Sequence, residues 1–518
     1  MANLADHLFR QARERGPKPA LLFEGDSFSF AALADRVRQI AGGLAAAGVA
    51  NGARVGMLMG ADPDFIMFQQ AVFASGATFT PLNIFYRSNE LLHVIHSCDL
   101  DCLIISADFI DRLPAPGTPG AETLRTIIVS GGPIDTADPR IVAADTLIAS
   151  AHPLDAPVWL PDTAVGMMLN TSATTGKSKG VMLSIGNIRA NYDRTPDWLG
   201  LDASTVTLCA LPLYNTFGLN QCANALMATG GTMVLLPRFD ALKCIDAIEE
   251  HRCTFFPAVP TMLQKLIDHP QALTRNLGSI TRIMTGGAPV PASLIERIRK
   301  VMGPDTVIIT GYGLTECTAL ATLEVIELDA DGRIARPKSI GAPVPGVEMR
   351  IVAEDGKEAA TGTVGEICIR GANVMQGYYR MPEESAIAVA DGWLRTGDLG
   401  MIDADGCYYI VDRKKDVIIR GGQNIYPADI EEVLYQVPGV SEVAVVGAID
   451  ESLGEVPVAY VALKHGAKVS SDALLAHCKE ELAYFKVPAA IRFLPELPKG
   501  PTGKILRREL RPLLGIME

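Results

Sequence analysis

The chain is 518 residues long, 48% hydrophobic and 20% charged, which describes a folded protein of roughly three to four packing units and excludes a disordered one. Its net charge of −13 excludes nucleic-acid binding through a global positive field, so an anionic ligand must be held by local cations and backbone N–H groups. The 10 cysteines, scattered from Cys98 to Cys478 without paired spacing, read as reduced thiols packed among apolar groups and not as a disulfide framework.

No apolar run is long enough to cross a bilayer. Asp6, Arg10, Arg13, Glu14 and Arg15 stand where an export signal needs an uncharged stretch. The expectation is a cytoplasmic protein without an integral membrane segment. In chain order, an Ala/Leu-rich helix is expected over residues 31–47, a strand over 54–59 and a second helix over 63–75, before Gly76. Similar helix and strand units recur over 90–106, 240–256 and 281–310, which predicts helix-covered, largely parallel sheets. Stretches 114–120 and 131–139 are rich in Pro and Gly and read as surface connections. His93, His96, Cys98 and Cys102 have a metal-like spacing but fall on an ordinary helix-to-strand connection, so no zinc site is expected there.

After Asp398 a hairpin is expected over 401–411 with Asp405-Gly406 as its turn, running into the charged cluster 412–416. Strands over 443–446 and 458–463 and helices over 428–436 and 471–482 then suffice for a small α+β domain. The expected division is residues 1–414 and 415–518.

The sharpest motif is Leu169-Asn-Thr-Ser-Ala-Thr-Thr-Gly-Lys-Ser-Lys-Gly180. Its hydroxyls (Thr171, Ser172, Thr174, Thr175, Ser178), Gly176 and the ammonium groups of Lys177 and Lys179 suit phosphate oxygens. It is not the kinase-type phosphate loop, because position 171 is Thr instead of Gly and an apolar run follows Gly180 where a helix should begin. Further on, residues 306–309 read as a buried strand. Gly311-Tyr312-Gly313 is then a strand-end turn that lets a ligand approach closely, with Tyr312 available to stack on a purine and Glu316 placed to hold a hard cation.

The loop at 169–180 resembles the signature loop of the adenylate-forming superfamily, which includes acyl-CoA synthetases, firefly luciferases and non-ribosomal adenylation domains. Four more matches follow in that family's order: Gly311-Tyr-Gly-Leu-Thr-Glu316, Gly392-Trp-Leu-Arg-Thr-Gly-Asp398, Asp412-Arg-Lys-Lys-Asp416 with Gly421-Gly422, and Pro501-Thr-Gly-Lys504. The resemblance implies an α/β fold: a large N-terminal domain of helix-covered sheets (two α/β subdomains and a small β-barrel) and a small mobile C-terminal α+β domain hinged near Lys415. It implies ATP, Mg²⁺ and coenzyme A as cofactors, with Thr315, Glu316 and Lys504 in catalytic positions, Glu316 as the metal ligand and Lys504 bridging carboxylate and phosphate oxygens. Asp398 would accept the ribose hydroxyls and Arg413 would contact ribose or phosphate. Gly287-Ala288-Pro289 would line the acyl and adenine pocket, Gly421 and Gly422 the path of the thiol.

Tyr214, Asn215, Phe217 and Phe256 are the candidate acyl-site residues. No arginine stands in 260–266 to pair with a second carboxylate, which favours a hydrophobic monocarboxylate (fatty, alicyclic or aryl) over a malonate-like diacid. The sequence departs from the family pattern at Ala173, Ser178, Ile185 and Asn215, where relatives usually have Gly, Pro, His and His. Asn215 can hydrogen-bond but carries no charge, which points to a changed acyl site or altered gating. The expected activity is formation of acyl-AMP and transfer to free coenzyme A. Loading of a separate carrier protein, or nucleotide binding with weakened catalysis, are the alternatives. The partners are small molecules, and the sequence leaves a homodimer open.

Overall fold

Asp62 accepts the Phe65 N–H at 2.9 Å and Pro63 occupies the first turn, so the helix Pro63–Ala74 begins where its N-terminal signals put it. It stops at Ser75, beyond which Gly76 takes φ +72°. The computed structural model describes residues 1–132, 134, 136–171, 178–286, 290–499 and 505–515. They form two compact units: residues 1–349 with 369–395, and residues 350–368 with 396–518. Lys415, the expected hinge, belongs to the second.

One sheet of the first unit runs in the order Gly377–Tyr378, Lys179–Ser184, Val165–Thr171, Thr78–Pro81, Arg54–Leu58, Cys102–Ser106, Thr126–Ser130, Ile141–Ala143. Its first two pairings are antiparallel and the rest parallel. A second sheet has the parallel core Thr232–Leu235, Val206–Cys209, Phe255–Pro257, Arg282–Thr285, Val307–Thr310, with Thr322–Val325 antiparallel beside the last strand. Phe255 and Phe256 are successive residues and so point to opposite faces, yet both are fully buried. Both faces of this sheet are therefore covered, as parallel sheets require. The chain is a mixed α/β protein.

In the second unit, helices Pro427–Tyr435 and Ser471–Glu481 and strands Ile418–Arg420, Gln423–Ile425, Val440–Asp450, Gly454–Leu463 and Ala490–Phe493 share a core that includes Ile418, Ile430, Leu434, Val445, Ala459 and Leu474. The hairpin at its start is longer than the sequence suggests. Strand Trp393–Ile402 pairs with Tyr408–Arg413, so Asp398 itself lies within a strand. All ten cysteines are free and buried. Among the described residues no group of three or more His, Cys, Asp or Glu could hold a metal, and no helix is long and apolar enough to cross a membrane.

Candidate active site

Register builds the site. Thr285 is paired with Thr310 and Cys209 with Leu235 in the parallel core, so Gly286 and Gly311 leave neighbouring strands side by side, and the segment that reaches Asn215 leaves the same edge. Ligand crevices of α/β sheets open at such carboxyl ends. The hydroxyl and lysine loop has visible stems: Thr171 is opposite Lys179, and Asn170 opposite Gly180. Ser172, Thr174, Thr175, Gly176 and Lys177, together with Ala173, lie outside the described residues, as do Gly287, Ala288, Pro289 and Lys504.

Glu316 sits in a 3₁₀ turn, Thr315–Cys317, fixed on both sides. Its carbonyl accepts the Met375 N–H at 2.8 Å. The Asn373 side chain donates to the Cys317 carbonyl at 3.0 Å, and the Thr318 hydroxyl to the Asn373 carbonyl at 2.5 Å. Only glycine fits at Gly313, where a Cβ would stand 1.4 Å from the Ala319 carbonyl oxygen. Tyr312 is 8% exposed, with its N–H on Thr322 Oγ1 at 3.2 Å, so its ring is more enclosed than a freely offered stacking surface.

Two features escaped the sequence reading. Tyr378, on the short strand paired with Lys179–Ser184, donates its hydroxyl to Glu316 Oε1 at 3.0 Å, and Lys179 Nζ lies 4.7 Å from its ring centroid. Burial, reinforced by the Glu316 carboxylate, holds the Tyr378 phenol above its ordinary range, so the hydroxyl stays a donor. The Gly-Tyr-Tyr at 377–379 was the available signal. The second feature is a buried amide network. Asn191 donates to the Leu320 carbonyl at 2.6 Å, Asn220 to Thr195 Oγ1 at 3.0 Å, and Asn224 to the Tyr192 carbonyl at 2.7 Å. It ties helix Ile185–Tyr192 and the π-helical turn Leu219–Asn224 to the chain just after Glu316. Its signal was amides inside an otherwise apolar run, 218–225.

Of the acyl candidates, Tyr214 and Phe217 are half-buried, and burial pushes the Tyr214 phenol up to about 12. Phe217 packs on Leu199, Phe255, Met284 and Ile309. Asn215 accepts the Gly218 N–H at 3.0 Å and caps the helical turn that carries Phe217. Phe256 has no exposed surface and lies in the core of the sheet.

In the second unit, Asp398 is paired across the ladder with Arg413, Nε to Oδ1 at 3.1 Å, and is 6% exposed. Lys415 lies in the 3₁₀ turn Lys414–Asp416, where burial lowers its ammonium pKa against the opposing pull of Asp416. Gly421 and Gly422 turn the hairpin Ile418–Arg420 to Gln423–Ile425 with φ of +56° and +81°.

Residues 8–379 match the model of the AMP-binding enzyme family, and residues 429–504 that of the AMP-binding enzyme C-terminal domain. The chain belongs to the AMP-binding enzyme family. It is an adenylate-forming enzyme of the acid–CoA ligase class. It is 35% identical over 506 residues to a feruloyl-CoA synthase of Amycolatopsis sp, covering 98% of each chain. To a long-chain-fatty-acid–CoA ligase of Bacillus subtilis (strain 168) it is 33% identical, covering 95% of this chain and 91% of that one. The fold matches that of the o-succinylbenzoate coenzyme A synthetase MenE of Bacillus subtilis, solved with ATP and magnesium ion, at a TM-score of 0.85 and 30% identity, over 97% of this chain and 98% of that one.

Proposed function

We propose that this ligase activates a hydrophobic monocarboxylic acid, fatty, alicyclic or aryl, with ATP and transfers the acyl group to coenzyme A. The observation that carries the reading is that the Glu316 turn and the half-buried side chains Tyr214 and Phe217 follow strands at one edge of the second sheet, while Tyr378, paired with the Lys179 stem of the hydroxyl and lysine loop in the first sheet, bonds Glu316. Relatives named for feruloyl and long-chain fatty acyl groups agree with an apolar acyl site.

A carboxylate is a poor electrophile because its leaving group would be oxide. One carboxylate oxygen therefore attacks the α-phosphorus of ATP, the bond to the bridging oxygen breaks, and pyrophosphate leaves with the electron pair. The thiol then loses its proton and attacks the acyl carbon, and AMP departs. Thr171, Lys179 and the loop 172–177 would hold the phosphates, Lys179 as a cation facing the charge that builds there. Mg²⁺ would supply charge neutralisation on the phosphates. The donor set suits it: among the described residues no group of three or more His, Cys, Asp or Glu could cage a metal, and the Glu316 carboxylate fits a cation that keeps its waters and phosphate oxygens. Asp398 is assigned to the ribose, Arg413 to the ribose or phosphate, Gly311, Tyr312 and Gly313 to the nucleotide, and Thr315 to the catalytic set beside Glu316.

Lys504 is assigned to the adenylation step, with residues 415–518 turning about Lys415 before the thiol arrives past Gly421 and Gly422. Lys504→Ala should lose adenylation yet still form thioester from supplied acyl-AMP; equal loss of both would count against the alternation. The activity is tested by pyrophosphate release over an acid panel, with acyl-CoA followed by mass. Octanoate or benzoate should be preferred to malonate, and the reverse preference would overturn the substrate class.

A further inference from the structure

Lys179 and Glu316 carry opposite charges on neighbouring segments, and a direct ion pair would leave each less able to meet a nucleotide and its cation. The structure interposes an aromatic ring. Lys179 Nζ lies over the face of Tyr378, 4.7 Å from its centroid, while the hydroxyl at the far end of the same ring reaches Glu316 Oε1 at 3.0 Å. The two interactions differ in kind. A cation over a ring face is weakly held and leaves readily for a phosphate, whereas a phenol donating to a carboxylate is a charge-assisted hydrogen bond that fixes orientation.

The backbone around Tyr378 is built to hold this place. Its N–H donates to Ser385 Oγ at 2.8 Å, Gln376 donates to the Met182 carbonyl at 3.0 Å, and Tyr379 to the Gly180 carbonyl at 2.8 Å. Tyr379 turns the other way and donates its hydroxyl to Asp99 at 2.9 Å, and Arg380 pairs with the same carboxylate at 2.6 Å. The segment is thus anchored on Asp99 without using the Tyr378 hydroxyl, which is left for Glu316.

We propose that Tyr378 is a positioning residue for adenylation: its ring separates the Lys179 ammonium from the Glu316 carboxylate, orienting the carboxylate for the nucleotide's cation while keeping the lysine free to move onto phosphate. This rests on the reading of Glu316 as the carboxylate that meets the cation. Tyr378→Phe removes only the hydroxyl and keeps the ring face, and Tyr378→Leu removes both.

The test is calorimetric binding of a non-hydrolysable ATP analogue with and without Mg²⁺, alongside melting temperature. In Tyr378→Phe the gain in affinity conferred by Mg²⁺ should shrink roughly tenfold, the loss of one charge-assisted hydrogen bond, with metal-free affinity and melting temperature unchanged. Tyr378→Leu should weaken metal-free binding as well, because Lys179 loses its resting place. A Tyr378→Phe protein with the Mg²⁺ gain intact overturns the proposal, and so does one losing metal-free and metal-dependent affinity equally, the mark of a merely structural role. Glu316→Gln separates the two readings. If it leaves the Mg²⁺ gain intact, the assignment of Glu316 fails and the proposal with it. If it abolishes the gain while Tyr378→Phe does not, only the role of Tyr378 fails.

Discussion

Gly313→Ala isolates the geometry of the Glu316 turn. The added methyl would stand 1.4 Å from the Ala319 oxygen and 2.5 Å from its carbonyl carbon, where ordinary contact begins near 3.4 Å. Both neighbours are backbone, so relief requires the chain between 313 and 319, the span that carries Thr315 and Glu316, to open by about 2 Å, against strain of roughly 1–3 kcal/mol for an overpacked site. A displacement of even about 1 Å at a reacting centre costs on the order of 100-fold in rate. Acid-dependent pyrophosphate release should therefore fall at least about 100-fold, while the melting temperature drops by only a few degrees. Gly406→Ala serves as the control. Gly406 also takes a positive φ, +81°, but a Cβ there meets nothing within 4 Å. It should cost about 1 kcal/mol of stability and no activity. A Gly313→Ala enzyme within threefold of the parent rate would refute the argument that the close approach of 313 and 319 sets the site.

Asp62 is pushed up from 3.8 to about 6, chiefly by burial. The folded chain binds that proton more tightly than the unfolded one, so stability falls as pH rises from about 4 to about 6 and stays lower above it. Asp62→Asn keeps a cap on Phe65 and should raise stability near pH 7 by up to roughly 3 kcal/mol while flattening that slope, as urea titrations across the range would show. Asn191→Leu strands the Leu320 carbonyl in the core and removes the second acceptor of the Asn220 amide, which keeps Thr195, and should cost roughly 2–4 kcal/mol, with a melting-temperature loss larger than that of any exposed Asn→Leu change. Arg507 holds Glu431 through two 2.8 Å contacts, and burial already raises that carboxyl. Arg507→Gln should lose about 3 kcal/mol at pH 7 and progressively less as pH falls and Glu431 becomes protonated; a loss independent of pH would show that the charge is not what matters.

Local signals carried much of the fold. Ser29 and Asp62 cap their helices through side-chain oxygens, Gly76 turns the chain out of the second, and apolar runs mark the parallel strands, so elements such as Phe30–Ala46 and Arg54–Leu58 were legible within a residue or two. The length of the hairpin was less legible: Gly397 takes φ +71° inside strand Trp393–Ile402, which passes it and shifts register between Leu399 and Gly400. Which side chains meet the acyl group was not legible in the same way, because apolar character does not say which face of a two-sided sheet meets a ligand.

The candidate site was legible as motifs and not as contacts. The loop at 169–180 and the turn at 311–316 stand out by composition, and the register of two parallel strands explains why the second lies where ligands bind. The bond from Tyr378 to Glu316 spans 62 residues of sequence and has no periodicity to reveal it. The same is true of Asn191, whose amide serves the backbone of Leu320, 129 residues away. Long-range polar pairing is decided by tertiary packing, which no local pattern encodes.

The most direct measurement is a crystal structure with a non-hydrolysable ATP analogue and Mg²⁺. The account predicts the triphosphate against residues 171–179 and the cation on the Glu316 carboxylate. A nucleotide seated elsewhere, with both left bare, would contradict it.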